Sequence, residues 1–221
     1  GRDGGVLARE RCADGERRRD RAAGGGEVGE RVEQGEAGAG VVGGGDLEAV
    51  LRTMEDAGLR GLGGAGFPSA VKLSVKELSS IEAVIINGAE CEPYITSDTR
   101  TMIDDADLVW EGIELLQKYM QVKRVIIGIE DNKPQCISGF EKRCKDAQGV
   151  EVKALPALYP QGGEKVLIYS AIGRAVPEGK LPIDVGAIVI NCTTLAAIAK
   201  YIKTGYPLVE KCVTVDGSAV K

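Results

Sequence analysis

Ala83-Val84-Ile85-Ile86-Asn87-Gly88-Ala89-Glu90-Cys91-Glu92-Pro93 is the stretch that decides how the chain folds. Its first four residues form a compact, largely β-branched run, the pattern of a strand buried on both faces of a parallel sheet. The remainder is a polar junction, with an amide and two carboxylates at the strand's carboxyl end. Residues 122–129, 150–152 and 185–190 read as further strands. Between them, 107–120 carries Leu108, Ile113, Leu116 and Met120 at helical spacing, and a helix over about 134–145 places Cys136, Phe140 and Cys144 on one face. Residues 164–172 and 193–203 complete the alternation, the last helix being stopped by Gly205. Upstream, Asp46 caps a helix through Leu47, Val50, Leu51 and Met54 that ends at Gly58, and Pro68 opens a shorter one. Strand and helix in alternation predict an α/β fold, helices covering a mostly parallel sheet, with function at the strands' carboxyl ends. Residues 211–217 (Lys211-Cys212-Val213-Thr214-Val215-Asp216-Gly217) read as a strand entering a turn, at the start of another module.

Composition narrows what such a fold does. The 221 residues suffice for one domain of about 150–200 residues plus an appendage. With 28 Lys+Arg against 33 Asp+Glu, the net charge of -5 lacks the basic surplus of a nucleic-acid binder. No apolar run approaches the ~20 residues of a membrane span, and no signal-peptide core is present. Histidine is absent, which excludes His-based triads, His general bases and His metal ligands. None of the six cysteines forms a C-x-x-C pair, so neither a zinc site nor an iron–sulfur ligand run is expected within this chain, and reduced thiols in a cytosolic setting are. Residues 1–45 are a different kind of sequence. They hold 14 of the 31 glycines and 8 Arg against 9 acids, with no aromatic residue. So little large apolar surface predicts disorder. Residues with codons beginning in G fill 34 of the 45 positions, the bias left by a shifted reading frame or a mis-called start, so a non-native leader is the sharper expectation.

Four polar junctions carry the candidate chemistry. Gly61-Leu62-Gly63-Gly64-Ala65-Gly66 satisfies G-x-G-x-x-G, but a helix rather than a strand precedes it, so the dinucleotide fingerprint does not apply. Its glycines let backbone N–H groups approach an anion closely. Phe67 adds an aromatic face, Pro68 opens a helix whose N-terminus favours phosphate, and Lys72 follows one turn on. The alternative is a tight helix–helix turn with a solvated lysine. The Asn87–Pro93 junction offers groups for a flavin or ribose hydroxyls, or solvates a loop. Tyr159-Pro160-Gln161-Gly162-Gly163-Glu164-Lys165 is a glycine turn into a helix with Glu164 as an N-terminal acid, and Asn191-Cys192-Thr193-Thr194 is a strand-to-helix junction where threonine caps. Convergence of the four at one sheet edge predicts a phosphate- and ring-bearing ligand held by backbone and amide groups.

Taken in series, these motifs resemble a known family. Residues 61–69 with Lys72 resemble the flavin-phosphate loop of the NADH-oxidising subunit of respiratory complex I. The stretches 87–94, 128–133 and 159–165 are closer to the C subunit of the Rnf electron-transport complex, as are 174–189 and 214–217. The resemblance covers about residues 46–221. It implies a Rossmann-like FMN/NADH-binding domain over 46–205, and over 206–221 the start of a β-grasp module. FMN is expected on Gly61, Gly63, Gly64, Ala65, Gly66, Phe67, Lys72, Asn87, Glu90, Asn191 and Thr194. NADH is expected near Phe67, Glu92 and Glu164. No side chain is expected to act as a catalytic acid or base, because the flavin carries the chemistry. No metal is expected in this chain, the iron–sulfur clusters belonging to a later, absent part. The implied setting is the cytoplasmic face of a bacterial membrane, peripheral and without insertion, among the other subunits of an ion-translocating complex. Two departures stand out: Gly163 and Ala89 occupy positions where complex I relatives carry acids. A cobalamin-reducing flavoprotein of bacterial microcompartments, or a structural subunit that keeps the fold without flavin, are the competing readings.

Overall fold

The computed structural model describes residues 46–218, so the expectation for residues 1–45 lies outside the described part. Four strands, β1 (Ala83–Gly88), β2 (Val125–Glu130), β3 (Val150–Leu155) and β4 (Ala187–Asn191), form one sheet in the order β3-β2-β1-β4. All three pairings are parallel. Seven α-helices accompany them among the described residues: α1 (Leu47–Asp56), α2 (Ser69–Leu73), α3 (Ser97–Asp104), α4 (Ala106–Met120), α5 (Pro134–Cys144), α6 (Glu164–Ile172) and α7 (Cys192–Thr204), with short 3-10 helices at Leu78–Ser80 and Pro182–Val185.

The pleat explains why β1, β2 and β4 lack polar alternation. Val84, Ile86, Val125, Ile127, Ile129, Ile188 and Ile190 face one core, packed under α1, α4, α5 and α7 through residues such as Met54, Ile113, Phe140 and Leu195. Ala83, Ile85, Ile126, Ala187 and Val189 face the other, covered by Leu167, Ile168 and Ala171 of α6. Both faces of β1, β2 and β4 are dry, so the body of each is apolar, whereas the edge strand β3 leaves Glu151 and Lys153 exposed. Each fully buried Ile or Val contributes roughly 1.5–3 kcal/mol relative to exposure.

Strand order sets where a ligand binds. From β1 the chain steps to β2 and β3 on one side, then returns with β4 to the other side of β1. The connections leaving β1 and β4 therefore diverge and open a crevice at their carboxyl ends.

Three expectations are corrected. The helix α3 lies outside the sequence-based expectation, because its sequence is polar and its buried side chains are only Thr101 and Met102. Residues 211–217 form no strand. A strand needs a neighbouring edge to pair with, and the polar tie of this segment to the domain is made by side chain: Thr96 N–H donates to Thr214 Oγ1 at 3.0 Å. Cys144, expected on one helix face with Cys136 and Phe140 as part of the core, is only half-buried, where those two are buried.

Candidate functional site

The glycine-rich loop is closed at its base before it reaches the sheet. Arg60 and Pro68 form an isolated antiparallel bridge, Gly61 N–H donates to Phe67 O at 2.8 Å, and Ser69 N–H donates to Leu59 O at 3.0 Å. Residues 61–67 thus form a lasso held at its neck. Its far side is pinned to α7 by Leu62 N–H, which donates to Thr194 Oγ1 at 2.8 Å. Gly63 lies directly on Asn191, where an added Cβ would meet Asn191 Cβ at 3.2 Å, tighter than side chains ordinarily tolerate. Among the described residues no acceptor takes the N–H of Gly63, Gly64, Ala65 or Gly66. An array of open backbone donors is what an anion requires.

The loop roofs a cleft of about 380 Å³ at the β1–β4 switch point. That volume falls within the range of small-molecule sites. All four predicted junctions line it. Gly61, Gly63, Ala65, Gly66 and Phe67 come from the loop, with Ser69 and Lys72 from α2. Asn87, Cys91 and Glu92 follow β1, Tyr159–Glu164 contributes Gly162, Gly163 and the α6 acid, and Val189–Thr194 supplies Asn191 and Thr194. Asn191 does triple service: it ends β4, lines the cleft, and caps α7 by accepting from Thr194 N–H at 3.0 Å. Asn87 Nδ2 donates to Gly162 O at 3.0 Å, tying the β1 junction to the α6 junction. Each of these amide nitrogens carries a second N–H with no protein acceptor among the described residues.

Gly162 has no room for a side chain, since a Cβ would stand 2.4 Å from Ala89 O. Its N–H donates to Cys91 Sγ at 3.2 Å. Lys72 Nζ donates to Glu164 Oε1 at 2.7 Å and to Val189 O at 3.0 Å. The pair is about one-third exposed on both sides, so solvent screens it and it contributes little to stability. Ser69 lines the cleft with a buried hydroxyl that has no hydrogen-bond partner. A buried hydroxyl left unpaired is costly, and a ligand acceptor would relieve it.

Two expected site residues do not line the cleft. Gly64 turns the loop, at φ +112, without facing the cavity. Glu90 points away from it and is 6% exposed. Its carboxylate accepts from Asp98 N–H at 2.7 Å, Thr99 N–H at 3.1 Å and Thr99 Oγ1 at 2.6 Å, so it serves the N-terminus of α3. The α2 helix, at five residues, is too short for a strong dipole, and what it offers is Ser69 and Lys72. The 128–133 motif also proves to be support. Lys133 Nζ pairs with buried Glu130 and donates to Glu90 O at 3.2 Å, clipping the end of β2 to the β1 junction. Sequence reasoning passes over Ser69, whose type is commonplace after proline, and Asp98. The Asp98 carboxylate is partly buried between Asn191 and Thr193, and loss of solvent pushes its pKa upward, with Glu90 and Glu92 adding to the rise against those two hydrogen bonds.

An open, all-parallel α/β sheet with a ligand-sized cleft at its switch point, roofed by unpaired loop N–H groups, defines a domain built to hold a phosphate-bearing cofactor. Residues 54–200 match the family described as the Nuo51 FMN-binding domain. The chain belongs to that family. It is 42% identical over 175 residues to the C subunit of the proton-translocating ferredoxin:NAD(+) oxidoreductase complex of Clostridium ljungdahlii, covering 79% of this chain and 38% of the relative. It is equally 42% identical to the Na(+)-translocating counterpart of Acetobacterium woodii, covering 80% of this chain and 40% of the relative. The chain therefore spans well under half the length of these relatives. Among solved structures it shares its fold with a chain of an NAD+-reducing NiFe hydrogenase in the H2-reduced state, at a TM-score of 0.62 and 24% identity over 71% of this chain and 31% of that one.

Proposed function

We propose that this domain holds FMN and exchanges electrons with NAD(H) within an ion-translocating ferredoxin:NAD oxidoreductase complex. The observation that carries the reading is the lasso of open N–H donors beside an unpaired buried Ser69 hydroxyl and the Lys72 ammonium, which together suit a phosphate. The N–H groups of Gly63, Ala65 and Gly66, Ser69 Oγ and Lys72 would hold it. A charge-assisted hydrogen bond from Lys72 contributes about 1.5–3 kcal/mol. To provide it, Lys72 leaves Glu164, which frees the Glu164 carboxylate for the polar groups of a dinucleotide. The spare N–H groups of Asn87 and Asn191, with Thr194, would meet the ring system. Phe67 is half exposed at the mouth and presents an aromatic face on which a nicotinamide stacks, with Glu92 alongside. The chemistry supplied by bound FMN is two-electron exchange with NADH and one-electron exchange with iron–sulfur clusters. The protein's own work is to bind, orient and shield, which needs no histidine. The clusters, the partner subunits and the cytoplasmic membrane face belong to the proposal on the strength of the related complexes. Among the described residues no helix is long and apolar enough to cross a membrane.

The test is direct. The full chain, mixed with FMN and desalted, is expected to retain a flavin band near about 450 nm that NADH bleaches without oxygen. A chain that takes up no flavin overturns the proposal and favours a structural subunit that keeps the fold alone. A chain that takes up FMN but is not reduced by NADH overturns the nicotinamide half.

A further inference from the structure

Asp98 stands behind the cleft wall, in the first turn of α3, and touches nothing in the cavity except through Asn191. Its Oδ2 accepts from Asn191 Nδ2 at 2.6 Å, and its Oδ1 accepts from Thr193 Oγ1 at 2.6 Å. The hydrogen bonds run on from there. Asn191 Oδ1 accepts from Thr194 N–H at 3.0 Å, and Thr194 Oγ1 accepts from Leu62 N–H at 2.8 Å. Gly63 rests on the Asn191 side chain at a distance that leaves no slack. A single partly buried carboxylate on α3 is thus connected, through two residues at the start of α7, to the loop that carries the open N–H donors.

We propose that Asp98 is a positioning residue for the cofactor cleft, holding Asn191 and Thr193 so that the glycine-rich loop is seated with its donors aligned. The inference rests on the FMN reading of the cleft. The geometry favours a role in alignment over one in general stability. A carboxylate withdrawn from water without a cation beside it costs the fold stability, and the charged groups that face Asp98 most closely are the carboxylates Glu90 and Glu92. What Asp98 supplies is two acceptors at a fixed spacing. Thr193 Oγ1 also lies 2.9 Å from Thr101 Oγ1. An amide in place of the carboxylate can therefore donate to Thr193, which turns its own hydrogen onto Thr101, while the amide oxygen still accepts from Asn191.

This predicts a specific contrast between two variants of the full chain, with FMN affinity read by quenching of flavin fluorescence. Asp98→Asn is expected to bind FMN within about 3-fold of the unsubstituted chain, because both links survive. Asp98→Ala is expected to bind at least about 10-fold more weakly, the scale on which outer hydrogen-bond partners act on bound groups. Circular dichroism at the same temperature checks that both are folded. Unchanged affinity in Asp98→Ala overturns the proposal while leaving the FMN reading intact. If the unsubstituted chain binds no FMN, the FMN reading falls and this inference with it. Should Asp98→Ala not fold, Thr193→Val removes one donor to Asp98 from outside the cleft. A several-fold weaker affinity is then expected, and full affinity overturns the proposal.

Discussion

Asp98 carries a charge that its surroundings oppose. Burial and the two neighbouring carboxylates raise its pKa above the ordinary 3.8, against the lowering effect of Thr193 and Asn191. The native state therefore keeps a proton that the unfolded chain has already released. Between 3.8 and the raised native value the unfolded state binds fewer protons, so stability falls as pH rises through that window. Asp98→Asn has no such group to titrate. The melting temperature of Asp98→Asn minus that of the unsubstituted chain is expected to grow from pH 4 upward and then level off. A difference independent of pH would mean that Asp98 titrates alike in both states. At this scale, the residues legible in the sequence are those whose type suggests a ligand wherever they stand: the glycines, Lys72, Asn87 and Asn191. Ser69 and Asp98 are not, because one is notable only for lacking a partner and the other only for which partners it has. Both are facts of tertiary structure.

Elements show the same division, and α3 is the clearest case. Its N-cap residue Thr96 makes no capping bond; the cap is Glu90, eight residues before Asp98, reaching over from the end of β1. Local capping rules look a few positions back along the chain and cannot see such a partner. That is also why Glu90 reads as a ligand group in the sequence. The two roles separate on substitution. Glu90→Ala strips a buried acceptor from two backbone N–H groups and the Thr99 hydroxyl. It is expected to cost about 1–3 kcal/mol, seen as a lower urea midpoint. A loss of FMN affinity with an unchanged midpoint would restore Glu90 to the cleft. Strands β1, β2 and β4 are legible because burial on both faces leaves no polar position within the run, while β3, with Glu151 and Lys153 exposed at the sheet edge, shows only its Val150-Glu151-Val152 start. The helices facing the larger core are legible from apolar spacing, and α3 is not, since only Thr101 and Met102 are buried in it. The 211–217 segment misleads for the opposite reason: its β-branched residues suit a strand, but pairing is a property of two segments.

At the scale of the whole molecule, the cysteines report on the architecture without being part of its chemistry. Cys136 lies under α3 and Cys192 opens α7, both buried, and burial raises both thiols, Cys192 far above its ordinary value. Cys91 is half-buried in the cleft wall, and Cys212 is half-buried on the segment beyond α7. Alkylation requires both access and thiolate. Iodoacetamide at pH 8, with sites mapped by mass spectrometry, is expected to leave Cys136 and Cys192 unmodified in the native protein while labelling Cys91 and Cys212. Saturating FMN should then protect Cys91 and leave Cys212 as reactive as before, because only one of them lines the cavity at the switch point. Protection of both would mean that the terminal segment folds onto the cleft when ligand binds. Protection of neither would place the flavin away from the β1 junction, and with it away from Asn87 and Glu92. Labelling of Cys192 without denaturant would break the packing of α7 against α3 on which the seat of the glycine-rich loop depends.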